Sequence, residues 1–261
     1  VTDGSHDGAL LEVEGVVKRF GGIHAVDGAG FEVAEASITA LIGPNGAGKT
    51  TLFNALTGFQ RVDRGSARLA GEEVLHLPAY AVARRGMVRT FQITKALAAM
   101  PVIDNMTLAA QNQPGERLGG LLVRPGAARR REREVRAEAE ALLEVFDLDR
   151  LAGDYAGTLS GGQRKLLELA RALMTQPRLL LLDEPMAGIN PTLGKRLLDH
   201  MQSLRRERGM TFLFVEHDME VVMNHSDRVI VMAEGKTIAD GEPHQVRENP
   251  AVIDAYLGSV A

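Results

Sequence analysis

Ile42-Gly43-Pro44-Asn45-Gly46-Ala47-Gly48-Lys49-Thr50-Thr51 is the stretch of this 261-residue chain whose reading decides the fold. Gly43 to Thr50 satisfies G-x-x-x-x-G-K-[ST]. An apolar β-type run, 37–42, enters it, and a helical pattern, 49–57, leaves it with apolar positions at Leu52, Phe53 and Leu56. Strand, glycine-rich turn and helix in that order form a phosphate cradle, because glycines let the backbone curl with its N–H groups inward and the helix start adds free amides and a positive dipole end. Gly43, Pro44, Asn45, Gly46, Ala47 and Gly48 are therefore expected around the phosphates of a nucleoside triphosphate, with Lys49 reaching the β- and γ-phosphates. The Thr50 hydroxyl is placed for Mg²⁺, and Thr51 is expected in the same cradle.

Composition restricts what surrounds that loop. Thirty Lys plus Arg against 34 Asp plus Glu give a net charge of −4, which argues against holding nucleic acid by bulk charge. Zero cysteines exclude disulfides and thiolate zinc sites. Apolar runs such as Leu179–Leu182 and Phe212–Val215 fall far short of the roughly 18 residues that cross a bilayer. Val1 to Asp7 carries two acids and no long apolar region, so no secretory signal is expected and the compartment reads as cytoplasmic.

Working outward, 10–17 and 30–33 read as strands, and the C-terminal half alternates a helix over 161–175, a strand over 179–182, a helix over 191–208 and a strand over 211–215. The 191–208 helix carries a stripe at Leu193, Leu197, Met201 and Leu204. Continuous apolar strands between helices imply an α/β fold with a parallel sheet covered on both faces. In the middle, 111–126 shifts to Gly, Pro and Gln and reads as a linker. A charged amphipathic helix follows, with apolar positions Val135, Ala139, Leu142, Leu143 and Phe146 and an expected Glu132–Arg136 pair.

Two further segments carry chemistry. Leu179-Leu180-Leu181-Leu182-Asp183-Glu184 is a buried strand ending in adjacent acids, at the sheet edge where ligands of open α/β folds bind. Asp183 is expected to hold Mg²⁺ through its water shell, and Glu184 to orient or deprotonate the attacking water. Leu159-Ser160-Gly161-Gly162-Gln163 opens a helix, with Ser160 and Gln163 spaced as a capping box. Paired glycines weaken a first turn, so they suggest close approach of a phosphate; as plain helix positions they would tolerate or welcome alanine.

With LSGGQ lying between the phosphate loop and its acidic strand, the chain resembles the ATP-binding cassette (ABC) family over about 10–258. The resemblance implies a P-loop NTPase fold with a mainly parallel core sheet, an N-terminal antiparallel β subdomain and a helical subdomain. It implies one ATP-binding domain over 1–261, its core at about 10–92 and 177–258 and its helical part at about 93–176. By the same resemblance Ser160, Gly161, Gly162 and Gln163 contact the γ-phosphate of ATP held by a second subunit, and Phe20 stacks on adenine. Gln92 joins Mg²⁺ and water to the helical subdomain, and His217 contacts the γ-phosphate. Asn190 stands where many members have Asp, and with Pro191 behind it also makes a good helix start.

Phe20-Gly21-Gly22-Ile23-His24-Ala25-Val26, Arg89-Thr90-Phe91-Gln92, Ala187-Gly188-Ile189-Asn190-Pro191, Val215-Glu216-His217-Asp218-Met219 and Ala255-Tyr256-Leu257-Gly258 resemble the ATP-binding subunits of branched-chain amino-acid uptake transporters. This implies an ATPase (ATP and Mg²⁺) on the cytoplasmic face of the inner membrane, partnered by integral membrane permease subunits, a second ATP-binding subunit and, indirectly, a solute-binding protein. Coupling helices of the permeases would be received around 91–146. A lipopolysaccharide-export ATPase has a similar cassette and is the alternative within the class. Soluble ABC proteins of translation or DNA repair carry two cassettes or long coiled coils, and neither is found here.

Overall fold

A computed structural model describes residues 8–90, 98–111 and 125–257. The expected site residue Gln92, its neighbour Phe91, most of the 111–126 linker and Gly258 lie outside the described residues.

Two units are formed. Unit 1 comprises 1–89, 177–187 and 201–261; unit 2 comprises 90–176 and 188–200. Among its described residues unit 1 holds two sheets. The first is antiparallel, built from β1 (Ala9–Phe20), β2 (Ile23–Ala34), β4 (Arg64–Leu69) and the short β5 (Glu72–Glu73), in the order β2-β1-β4-β5, and α2 (Ala79–Arg84) follows β5 in the chain. Alternation of side chains along β1 buries Leu11 and Val13 beneath this sheet, and a register shift between Val13 and Val16 brings Val16 into the same core.

The second sheet has the order β10-β9-β3-β8-β7-β6, with β3 (Ile38–Ile42), β6 (Met87–Arg89), β7 (Leu179–Asp183), β8 (Thr211–Val215), β9 (Arg228–Ala233) and β10 (Lys236–Gly241). All neighbours are parallel except β9 and β10. β3 and β8 are buried along their whole length, as an apolar strand covered on both faces must be. Ile42 registers with Val231, and Asp183 with Val215. The carboxyl ends of β3, β7 and β8 therefore open together on one edge.

Unit 2 is helical among its described residues: α3 (Val102–Ala109), α4 (Pro125–Val145), α5 (Gly161–Leu173) and the first half of α6 (Pro191–Arg208). The expected stripe Val135, Ala139, Leu142, Leu143 and Phe146 is buried, and the Phe146 ring meets His200 edge-on with centroids 4.8 Å apart. Pairing on the charged face of α4 differs from the expected Glu132–Arg136. Arg136 reaches Glu140 at 3.1 Å and Arg130 reaches Glu134 at 2.9 Å, so each arginine takes the glutamate one turn onward.

The turn from β3 into α1 (Lys49–Leu56) is set by two glycines whose missing side chains make room for backbone. A Cβ on Gly43, at φ 146°, would lie 2.0 Å from the Met232 carbonyl oxygen; one on Gly48, at φ 97°, would lie 2.1 Å from that of Ala25. Gly46 also has positive φ, 80°, but faces open space. Gly43→Ala and Gly48→Ala should therefore each cost upward of about 3 kcal/mol, and Gly46→Ala only about 1–2 kcal/mol of left-handed strain. Urea unfolding midpoints of the three variants check this ordering.

Candidate functional site: a phosphate loop beside an acidic strand end

Gly48 begins α1 with no side-chain cap, and the first turn of this helix contains no acid. Its leading N–H groups and dipole end are left to a ligand. Helices α5, α6 and α7 (Met219–His225) are different: Ser160, Asn190 and Asp218 each cap their own first turn. The Lys49 ammonium folds back over the loop, donating to the carbonyls of Gly43 (2.7 Å) and Pro44 (3.0 Å). Burial lowers its pKa, while the nearby Glu184 and Asp183 carboxylates raise it. Thr50 is exposed on the first turn and Thr51 half-buried beside it.

The rest of unit 1 grips this loop from two directions. Gly235, in the β9–β10 turn, donates its N–H to the Ala47 carbonyl (3.1 Å) and accepts from the Asp27 N–H on β2 (2.8 Å). At the other end of the loop the buried Tyr256 hydroxyl, on the C-terminal helix Pro250–Leu257, lies against the Gly43 backbone N–H. Burial raises the Tyr256 pKa against the lowering effect of that amide. The sequence reading used Tyr256 only as a mark of kinship; nothing in its local pattern shows what it touches.

Phe20 closes β1 and pairs with Ile23 across the Gly21-Gly22 turn. It is 49% exposed, which excludes a core role, and Lys18 Nζ stands 5.1 Å from its ring centroid. Two residues past Phe20's partner Ile23, β2 passes Gly48 at Ala25, so the strand paired with Phe20 also borders the phosphate loop.

Asp183 ends β7 beside Val215. Its Oδ2 accepts from Arg89, whose other guanidinium nitrogen donates to Asn54 Oδ1 at 2.6 Å. In the sequence Arg89 serves only as a mark of kinship: a single arginine at a strand end gives no signal of a carboxylate 94 positions away. Glu184 follows with φ 48°, a left-handed conformation that costs a non-glycine residue of order 1–3 kcal/mol and collects at functional sites. Its N–H donates to the Val215 carbonyl (3.0 Å) and its carbonyl accepts from Ala187 (3.1 Å), which together hold that conformation. His217 stands just beyond β8, its side chain 71% exposed. Lys49, Asp183, Glu184 and His217 thus converge on the carboxyl edge of one sheet.

Ser160, Gly161, Gly162 and Gln163 lie in unit 2. The capping box is complete: Gln163 N–H donates to Ser160 Oγ (3.2 Å), and Ser160 N–H to Gln163 Oε1 (2.9 Å). Gly161 is exposed, with no neighbour to meet an added Cβ. Gly162 corrects the sequence reading. It is buried, and a Cβ there would come within 1.9 Å of Leu193 Cδ2 and 3.6 Å of Ile189 Cγ2, so packing against the start of α6 is itself a reason for glycine. Asn190 caps that start, its Oδ1 accepting from the Leu193 N–H at 2.9 Å, as the Asn-Pro pair led one to expect.

A phosphate loop and an acidic strand end on a parallel sheet, accompanied by a helical unit carrying LSGGQ, define a cassette-type P-loop ATPase. Residues 26–187 match the model of the ABC transporter family, and 236–261 match that of the branched-chain amino acid ATP-binding cassette transporter. Over 95% of this chain and 98% of the relative, 46% of residues are identical to the high-affinity branched-chain amino acid transport ATP-binding protein BraF of Pseudomonas aeruginosa. The corresponding LivG protein of Escherichia coli is 43% identical over 95% of this chain and 98% of its own length. Among solved structures, a nucleotide-free ATP-binding cassette from an ABC transporter superposes with a TM-score of 0.81 at 37% identity, covering 95% of this chain and 98% of that one. The ADP conformation of an ATP-binding cassette gives 0.81 at 35%, covering 96% and 99%. The chain belongs to the ABC transporter family, as one of its ATP-hydrolysing cassettes.

The contrast between the two glycines of LSGGQ is testable. Gly162→Ala should destabilise by about 1–3 kcal/mol as Leu193 is displaced, whereas Gly161→Ala should be neutral or stabilise by up to about 1 kcal/mol. Denaturant titration of the two variants side by side measures the difference.

Proposed function

We propose that this chain is the ATPase subunit that powers an importer of branched-chain or other amino acids, working as a peripheral subunit on the cytoplasmic face of the inner membrane. The carrying observation is the uncapped, acid-free start of α1 with Lys49 folded over its loop, facing Asp183 and Glu184. Identity of 43–46% to branched-chain amino acid transport proteins over nearly the full length supports the solute class. No helix among the described residues is long and apolar enough to cross a membrane; in this reading integral membrane permease subunits supply the passage.

In this reading the amides of 43–50 hold the β-phosphate, Lys49 bridges the β- and γ-phosphates and Phe20 offers its exposed face to adenine. Thr50 and Asp183 are hard oxygen donors of the kind Mg²⁺ takes in ones and twos alongside substrate phosphates. When bound, that ion neutralises charge developing on the phosphates. Glu184 takes the proton of the attacking water, His217 contacts the γ-phosphate and Gln92 links this chemistry to the helical unit. Ser160, Gly161, Gly162 and Gln163 of a second ATP-binding subunit complete the site from outside, where the exposed Gly161 permits close approach of a phosphate.

Two variants test the assignments. Lys49→Ala should weaken ATP binding by about 1.5–3 kcal/mol while the unfolding midpoint holds; calorimetric titration with unchanged affinity would remove Lys49 from the site. Glu184→Gln should bind Mg-ATP but turn over slowly, so light scattering should show an ATP-held dimer. A monomeric variant hydrolysing at the wild-type rate would contradict the role of the base.

A further inference from the structure

Glu216 is a carboxylate that the mechanism above does not use. It directly follows β8, is only 1% exposed, and sits where an apolar residue would continue the buried strand. A buried carboxylate is costly unless its oxygens are engaged, and both are. Oε1 accepts from the Met186 N–H at 2.8 Å, two residues past Glu184. Oε2 accepts from the His217 N–H at 3.3 Å and stands 3.8 Å from His217 Nδ1. Burial raises the pKa of Glu216, the two amides lower it, and the charge of Glu184 raises it further, which places Glu216 within the field of the base.

One side chain thus joins the turn that carries Glu184 to the residue that carries the imidazole. The pairing is specific to a carboxylate: both partners are N–H donors, so the acceptor must have two oxygens and no proton donor of its own. His217, 71% exposed, has little packing of its own to fix its backbone, and Glu184 holds a left-handed conformation that needs support from its surroundings. We propose that Glu216 is a positioning residue for hydrolysis, a buried strap that holds His217 in register with Glu184 so that both meet the same γ-phosphate. This rests on the roles given above to Glu184 and His217.

Because Lys49 and the phosphate loop hold ATP without Glu216, the strap should act on turnover and leave affinity alone. Glu216→Gln separates its halves: the amide oxygen still accepts from Met186, but an NH₂ group then faces the His217 N–H. In the whole 261-residue chain with Mg-ATP, Glu216→Gln should lower kcat by on the order of 10- to 100-fold, with KM within about twofold. The double variant Glu216→Gln/His217→Ala should be no slower than His217→Ala alone, since both changes disable one element. Multiplicative effects in the double variant, or an unchanged kcat in Glu216→Gln while His217→Ala is slow, would overturn the strap and leave the role of His217 standing. A normal kcat in His217→Ala would instead overturn the reading on which it rests, and the strap with it. If Glu216→Gln does not fold, Glu216→Asp, which keeps both oxygens but shortens the reach, carries the same test with the same outcomes.

Discussion

The fold and its chemistry depend on one steric constraint, the contact of a bare backbone with other backbone at both ends of the phosphate loop. Gly43 lies against the Met232 carbonyl on β9 and Gly48 against the Ala25 carbonyl on β2, at distances no side chain could share. This contact turns the chain from the middle of the parallel sheet straight into α1 and leaves the leading amides of that helix uncapped. Parallel strands then do the rest. β7 and β8 run alongside β3 in the same direction, so Asp183, Glu184 and His217 emerge at the edge where the loop already lies.

Around that edge the protein accepts local costs that packing alone would not select. Glu184 holds a left-handed backbone with a bulky charged side chain. Glu216 buries a carboxylate. Arg89 spans Asn54 on α1 and Asp183 on β7, tying the phosphate-loop helix to the acidic strand end. These features are carried by residues adjacent to transitions between strand and loop, where a small shift would move a carboxylate or an imidazole without disturbing the sheet.

Much of this was legible in the sequence, because the deciding segments are local. Gly43 to Thr50 carries its turn, its helix start and its cation within eight residues, and strand runs such as 211–215 are apolar throughout. Asn190-Pro191 and Ser160-Gly161-Gly162-Gln163 announce helix starts by residue type, and the structure has both caps. What sequence reading missed was tertiary. Gly162 is matched to Leu193, 31 positions on, so its backbone freedom looked like a ligand's requirement when packing also demands it. Glu216, Arg89 and Tyr256 are single residues whose partners lie 30, 94 and more than 200 positions away, and no periodicity links them. The expected Glu132–Arg136 pair gives way to Arg136–Glu140 because alternating charges offer each arginine several partners in reach.

We propose that a working site joins the phosphate loop of one chain to the Ser160-Gly161 turn of another. Mixed dimers measure it directly. Lys49→Ala disables the loop, and Gly161→Asp sets a negative charge where the γ-phosphate would arrive, at a helix start that tolerates an acid. In a dimer of one chain of each kind, both lesions fall on one composite site and the second site is intact, so mixing two inactive variants should restore ATP hydrolysis. Mixed dimers shown to form, yet as inactive as either parent, would contradict it.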